Sequence, residues 1–484
     1  MSSASSERRL DLIRIDGAHL SVADIAALAA GSASAELEPA ARERAARSHE
    51  FAVRVSAQRP VYGRSTGVGA NRDVAIAEPD RHALSLLRSH ATTGGPLREP
   101  QRVRAMVAVR LNQLAAGGSG VSPLLLDGLA DMLAADALPP VRELGSIGTA
   151  DLSALALVAL ALMGEAPTSA PLRTRYSCAP QDAVSIMNSN AGAIADAALA
   201  AHRMATLARA AVVVAGLSFV LVDGNAEAFA SLVETASPFA GVAQVCEWMR
   251  ALVEAAGPPT RIQDPFGLRA LPQVHGALLD ALGHAEDVVI KMANAPSENP
   301  LLLPDVGVAH HGAWHAAYLS QTMDTVVSAA AQSAQLGLAR LSMLSEPAFT
   351  GLPSFLGDGT PGASGVMITE YVAADALGGL RALATPTGLQ TVTLSRGVEE
   401  DASFASLAAR HALAAVDAYR TLVACELVAA VRGLRLQGRT AAGLAECAAL
   451  PDQVADRALT EDILTAEQLL PALAALLHTR STAH

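Results

Sequence analysis

Tyr62 lies in Tyr62-Gly63-Arg64-Ser65-Thr66-Gly67-Val68-Gly69, where glycines let the chain turn sharply or move. A phenol, with an ordinary pKa near ~10, becomes a proton acceptor only where donors or helix ends stabilise the phenolate. A loop tyrosine packed over a cavity entrance gives the same residue. No Gly-x-x-x-x-Gly-Lys is present and no strand pattern precedes the glycines, so they do not read as a phosphate cradle. Glu399-Glu400-Asp401 places three carboxyls in a row, an arrangement that favours proton retention by at least one of them; a charged helix start is the other source of such a run. His90 can bind a polar group or shuttle a proton, or be a structural histidine with its hydrogen bonds satisfied. Arg269 offers a fork that grips a carboxylate through two hydrogen bonds, whether that of a ligand or of a neighbouring subunit. Asn188 and Gln263 supply neutral hydrogen bonds, to a ligand or to buried backbone. His310, His311 and His315 cluster, but only His311 to His315 has a helical metal spacing and no acidic ligand accompanies it. No metal site is expected.

The elements that must hold these residues are helical. The chain has 484 residues, more than one compact core absorbs, so two or three subdomains are expected. Hydrophobic residues make up 51% and aromatics only 3%, which leaves Ala, Leu and Val to build the core; Ala and Leu favour helix. Between about 20 and 55, Leu37, Ala41, Ala45 and Ala46 alternate with Arg42, Glu43, Arg44 and Arg47 as on a surface helix, with Pro39 in its first turn. Helical patterns follow over about 80–116 and 123–136, then a Pro139-Pro140 break, and long Ala-rich helices over 308–345 and 403–432. Asp151 is placed to cap a helix starting at Leu152. Only short extended pieces are expected, for example around Val212–Val214.

A formal charge of −12 without a dense Lys/Arg run excludes nucleic acid as the expected partner. Cys178, Cys246, Cys425 and Cys447 are scattered, so they read as reduced, mostly buried thiols and not as a zinc site or disulfide framework. The stretch before and through Glu7-Arg8-Arg9 lacks the apolar segment of a signal peptide, and Leu152–Met163 is too short to cross a bilayer. A cytoplasmic protein without membrane partners is expected.

Seven ordered motifs resemble the histidine and aromatic amino-acid ammonia-lyases. They are the tyrosine loop; Ser89-His90; Gly145-Ser146-Ile147-Gly148 followed by Asp151-Leu152; Gln263-Asp264-Pro265-Phe266-Gly267-Leu268-Arg269-Ala270-Leu271-Pro272-Gln273; Ser297-Glu298-Asn299-Pro300-Leu301; Trp314-His315; and Glu399-Glu400-Asp401. Asn188, in Ser185-Ile186-Met187-Asn188-Ser189, falls at a further family position. The resemblance implies a mainly α, ammonia-lyase/fumarase-like fold with a long central helical bundle, forming homotetramers whose active sites draw on three subunits. On that plan residues 1–215 form an active-site domain and 216–484 the long-helix bundle with C-terminal helices. It further implies Tyr62 as the proton-transfer residue and Arg269 as carboxylate clamp. Asn188 and Gln263 would hold substrate or prosthetic carbonyl, Glu400 would stand near the substrate amine, and His90 would help select its ring.

The chain departs from the family in three places. The family's Ala-Ser-Gly triad, which cyclises and dehydrates into the electrophilic imidazolone MIO, is replaced by Thr149-Ala150 ahead of Asp151. Ala150 has no leaving hydroxyl, and an aspartate side chain opposes the tight turn. Phe266 replaces a tyrosine and Trp314 a phenylalanine. From these departures no MIO and no other cofactor is expected. The function expected is an MIO-independent enzyme of specialised metabolism, catalysing acid/base elimination, conjugate addition, isomerisation or cyclisation of a carboxylate-bearing small molecule. Tyr62 would move the proton, with Glu400 or His90 as second acid/base. The alternatives are a non-catalytic ligand-binding or scaffold homologue, and a true ammonia-lyase or aminomutase.

Overall fold

The computed structural model describes residues 11–477 apart from 174, 175, 178, 181 and 255. The fold is mainly helical, as expected, with three two-stranded sheets among the described residues. The 20–55 pattern resolves into two helices around a strand. Val22–Ala30 is opened by a capping box, Ser21 Oγ accepting from Asp24 N–H and the Asp24 carboxylate from Ser21 N–H, and closed by Gly31 in the left-handed region. Ala33–Leu37 pairs in parallel with Asp11–Ile15. Pro39–Ser56 follows with Pro39 in its first turn and Ala41 and Ala45 inward. The 80–116 pattern breaks likewise into Pro79–His90 and Pro100–Ala115, because Gly94-Gly95-Pro96 cannot continue a helix; Gly94–Leu97 instead pairs with Arg142–Leu144.

Val212–Val214 corrects one expectation: the three valines lie fully buried inside the 31-residue helix Ala191–Leu221. Tertiary burial outweighs the preference of β-branched residues for strands. Leu152–Leu162 is a core helix, most of it buried. An apolar window within 182–221 is long enough to cross a bilayer, yet 83% of it is buried inside the protein. Cys246, Cys425 and Cys447 are free and buried, and Cys178 lies outside the described residues.

Two units interleave along the chain, whereas the family plan expected from the resemblance divides it once, at 215/216. The first comprises Met1–His202, Glu286–Met323 and Pro386–Arg410; the second comprises Arg203–Ala285, Asp324–Thr385 and His411–His484. In the second, Arg340 on Ala317–Leu344 donates to the Glu426 carboxylate on Ala405–Leu436 at 2.6 and 2.8 Å. Ser218, on Ala191–Leu221, donates to the same carboxylate at 2.8 Å. A buried pair thus ties three long helices. Nearby, His275 Nε2 lies 3.0 Å from the Ala208 carbonyl, and burial pushes the imidazole down to about 4. His275 is therefore neutral, with Nε2–H donating to that carbonyl.

Candidate active site

The first unit contains a cavity of about 890 Å³. Its walls come from segments distant in sequence: Tyr62 and Val68–Arg72; His90; Thr149 and Leu152; Val184, Met187 and Asn188; Asn299; Trp314 and His315; Ser395 and Gly397–Asp401. Tyr62, His90, Thr149, Asn188, Trp314 and Glu400, all singled out by sequence, are thereby brought together.

The phenol oxygen of Tyr62 accepts the Gly69 N–H at 2.9 Å, and the Tyr62 N–H donates to His310 Nε2 at 3.2 Å. Gly63 is needed beside it, because at φ 69° a Cβ would lie 2.3 Å from a methyl of Val184. Burial is the main reason the phenol sits above its ordinary pKa; the Gly69 N–H opposes that, Glu399 adds to it and Arg72 opposes it. His90 ends Pro79–His90, and its Nδ1 lies 2.9 Å from the Leu86 carbonyl. That contact assigns the proton to Nδ1 and leaves Nε2 as the acceptor. Trp314 donates its indole N–H to the His311 carbonyl at 3.0 Å, and its ring tilts against that of His315.

Asn188 donates to the Asn299 carbonyl at 2.9 Å, joining two walls. Arg110, fully buried, ties the same walls again. It donates to the Ile186 carbonyl at 3.1 Å and to that of Ser185, satisfying the end of Asp182–Met187, and approaches Glu298 at 2.7 Å. Burial pushes the Glu298 carboxyl up, against the pull of Arg110.

Asp182 accepts from Ser122 N–H at 2.7 Å and from the Tyr176 hydroxyl, and burial pushes it up to about 6 from 3.8. Between about pH 4 and 6 the folded state therefore holds more protons than the unfolded one, so this group's contribution to stability falls as pH rises through that window. Asp182→Asn is expected to flatten that slope, measured as urea midpoints across the window; equal slopes in parent and variant would refute the assignment.

Asp151 corrects a second expectation. It occupies the residue before Leu152–Leu162, but its side chain makes no capping bond to that helix. Its Oδ2 accepts from Ala193 N–H at 2.9 Å, in the first turn of Ala191–Leu221, and its own N–H donates to the Ser189 carbonyl at 2.7 Å. The carboxylate is buried, which raises its pKa. Of the 149–151 stretch only Thr149 faces the cavity; Ala150 is buried with φ 109°.

Gln263, Phe266 and Arg269 belong to the second unit and are not among the residues lining this cavity. Arg269 there stacks on Phe266 at 4.7 Å and donates to the Asp264 carbonyl at 3.3 Å. Among the described residues no group of three or more metal-ligating side chains assembles. Lining residues with polar side chains that were not singled out as site residues from sequence include Asn71, Arg72, Asn299, His315 and Ser395. Asn299 and His315 stand inside quoted motifs, which was the available signal; nothing local marks Arg72 or Ser395.

The aromatic amino acid lyase family model matches residues 20–455. The chain belongs to this family. The histidine ammonia-lyase of Anaeromyxobacter sp. (strain K) is 32% identical, over 95% of this chain and 99% of that relative. The histidine ammonia-lyase of Symbiobacterium thermophilum is also 32% identical, over 94% and 96%. The tyrosine aminomutase of Streptomyces globisporus superposes with a TM-score of 0.88 at 25% identity, covering 98% of this chain and all of that one.

For this aromatic amino acid lyase family member, two expectations are overturned by those relatives. A reaction class outside ammonia-lyase chemistry gives way to the ammonia-lyase reading, since histidine ammonia-lyases match nearly the whole chain. The expectation that it dispenses with a prosthetic group falls with it, because these relatives belong to the class characterised by MIO. The residues at the loop do not themselves fit that ring: Ala150 carries no hydroxyl, and the Asp151 N–H and carboxylate are already committed.

Proposed function

We propose that this enzyme is an ammonia-lyase acting on an α-amino carboxylate with an aromatic or imidazole side chain. The observation that carries the reading is the convergence of Tyr62, His90 and Glu400 on one cavity in a chain so similar to histidine ammonia-lyases. Tyr62, as phenolate, takes the β-proton; the C–H pair becomes the C=C bond, the C–N bond breaks, and the ammonium group leaves as ammonia. The Gly69 N–H supports the phenolate. Glu400 faces the substrate ammonium, and His90 Nε2 meets the side-chain ring. Asn188 and Thr149 supply neutral contacts, and Trp314 bounds the space for the ring. Gln263, Phe266 and Arg269 complete the site from neighbouring subunits of a cytoplasmic homotetramer, with Arg269 holding the carboxylate. The family resemblance supports that arrangement.

The test is incubation of the full-length protein with L-histidine, L-phenylalanine and L-tyrosine, following ammonia and the absorbance of the unsaturated acid. Release of both from one of them is expected. A β-amino acid in their place assigns aminomutase chemistry. Turnover of none of the three overturns the reading.

A further inference from the structure

We propose that Ser395 is a positioning residue for Tyr62, acting through the Gly69–Ala70 peptide; the inference rests on the tyrosine being the base. Ser395 Oγ accepts the Ala70 N–H at 3.0 Å, one residue beyond the Gly69 N–H that donates to the phenol oxygen. The fit at Gly69 is close. Its φ is +54°, and a Cβ there would lie 2.7 Å from Ser395 Oγ and 3.3 Å from Glu399 Oε1. The serine hydroxyl therefore rests against the Gly69 α-carbon while holding the next amide.

The turn that presents this hydroxyl is itself unusual. Ser395, Arg396 and Gly397 all lie in the left-handed region, at φ 51°, 58° and 86°. Two of the three are not glycine, a conformation that persists only where the surroundings impose it. Here Leu394 pairs with Glu399 across the turn, its N–H donating to the Glu399 carbonyl at 2.9 Å, and Gly397 N–H donates to the Leu394 carbonyl at 2.9 Å. The same short segment brings Ser395, Glu399 and Glu400 to the cavity wall. Its turn carries a hydroxyl to the tyrosine's loop and leaves the Gly69 N–H aimed at the phenol oxygen.

A donor on that oxygen favours the phenolate. Loss of the Ser395 hydroxyl frees the Ala70 amide and with it the Gly69 α-carbon that joins this amide to the Val68–Gly69 peptide, so the Gly69 N–H is no longer held on the phenol oxygen. The proton taken from substrate then meets a base that is scarcer at a given pH, with substrate contacts unchanged.

The test uses full-length Ser395→Ala and Ser395→Gly beside Tyr62→Phe, assayed on the amino acid that the parent turns over. Glycine keeps the left-handed turn without strain, so it separates loss of the hydroxyl from loss of the fold. Both serine variants are expected to lower kcat about tenfold, as loss of one hydrogen bond predicts, with KM within about twofold. The alkaline rising limb of the kcat profile should move to higher pH in both. Parental kcat and an unmoved limb in both, with Tyr62→Phe inactive, overturn the positioning role and leave the tyrosine reading standing. A fall in kcat without movement of the limb also overturns it, as loosening of the loop alone. A fully active Tyr62→Phe overturns the tyrosine reading itself, and this inference with it.

Discussion

Tyr62→Phe is expected to lower kcat by about 10³-fold while leaving KM close to the parental value. Proton transfer by a positioned side chain contributes of the order of 10²–10⁴-fold, and phenylalanine keeps the ring while losing the only atom that moves the proton. The pH dependence carries the sign. Burial, reinforced by Glu399, holds the phenol above its ordinary value, so the basic form grows only on the alkaline side. In the parent, kcat/KM should therefore still be rising as pH passes the ordinary phenol range, and that limb should vanish in the variant. Steady-state rates across pH check both points; a variant with the parental limb would assign the proton transfer to another group.

The second large effect concerns stability. Arg340 and Glu426 are almost fully buried and joined through two hydrogen bonds. Glu426→Ala leaves the buried guanidinium without its carboxylate, its bond to the Gly267 carbonyl remaining, and removing one partner of such a pair costs roughly 3–5 kcal/mol. It also frees the Ser218 hydroxyl. The expected result is a large fall in the thermal or denaturant midpoint. Replacing both partners, Arg340→Met with Glu426→Leu, should recover most of it, because the cost lies in the orphaned charge and not in the absence of the pair. A midpoint unchanged by Glu426→Ala would show that the three helices do not depend on this contact.

The order of the motifs carries the fold: from Tyr62-Gly63 to Glu399-Glu400-Asp401 each falls in family sequence, and the Ala-rich composition leaves little but helix to connect them. Pro39 in a first turn and the Leu152–Leu162 core helix are local matters of proline geometry and apolar content, and they are legible for that reason. Val212–Val214 is not, because burial on every side decides against strand preference. Asp151 looks like an ordinary cap until its carboxylate is seen to accept from Ala193, some forty positions away. The site was legible as a set of residues and not as a geometry. His315, Asn299 and Ser395 reach the cavity through contacts between distant segments, and spacing along the chain says nothing of these. Arg269 shows the converse: its motif stands out in the sequence, while its unit does not line this cavity.

One guanidinium, Arg110, grips both the end of Asp182–Met187 and Glu298, while Asn188 adds a strut to Asn299. That flank of the chamber is consequently stiff, a single braced plate. The wall from Tyr62 to Arg72 is glycine-punctuated backbone, and two of its amides are held by side-chain oxygens, those of Tyr62 and Ser395. The shape of that wall and the delivery of the proton therefore draw on the same few residues.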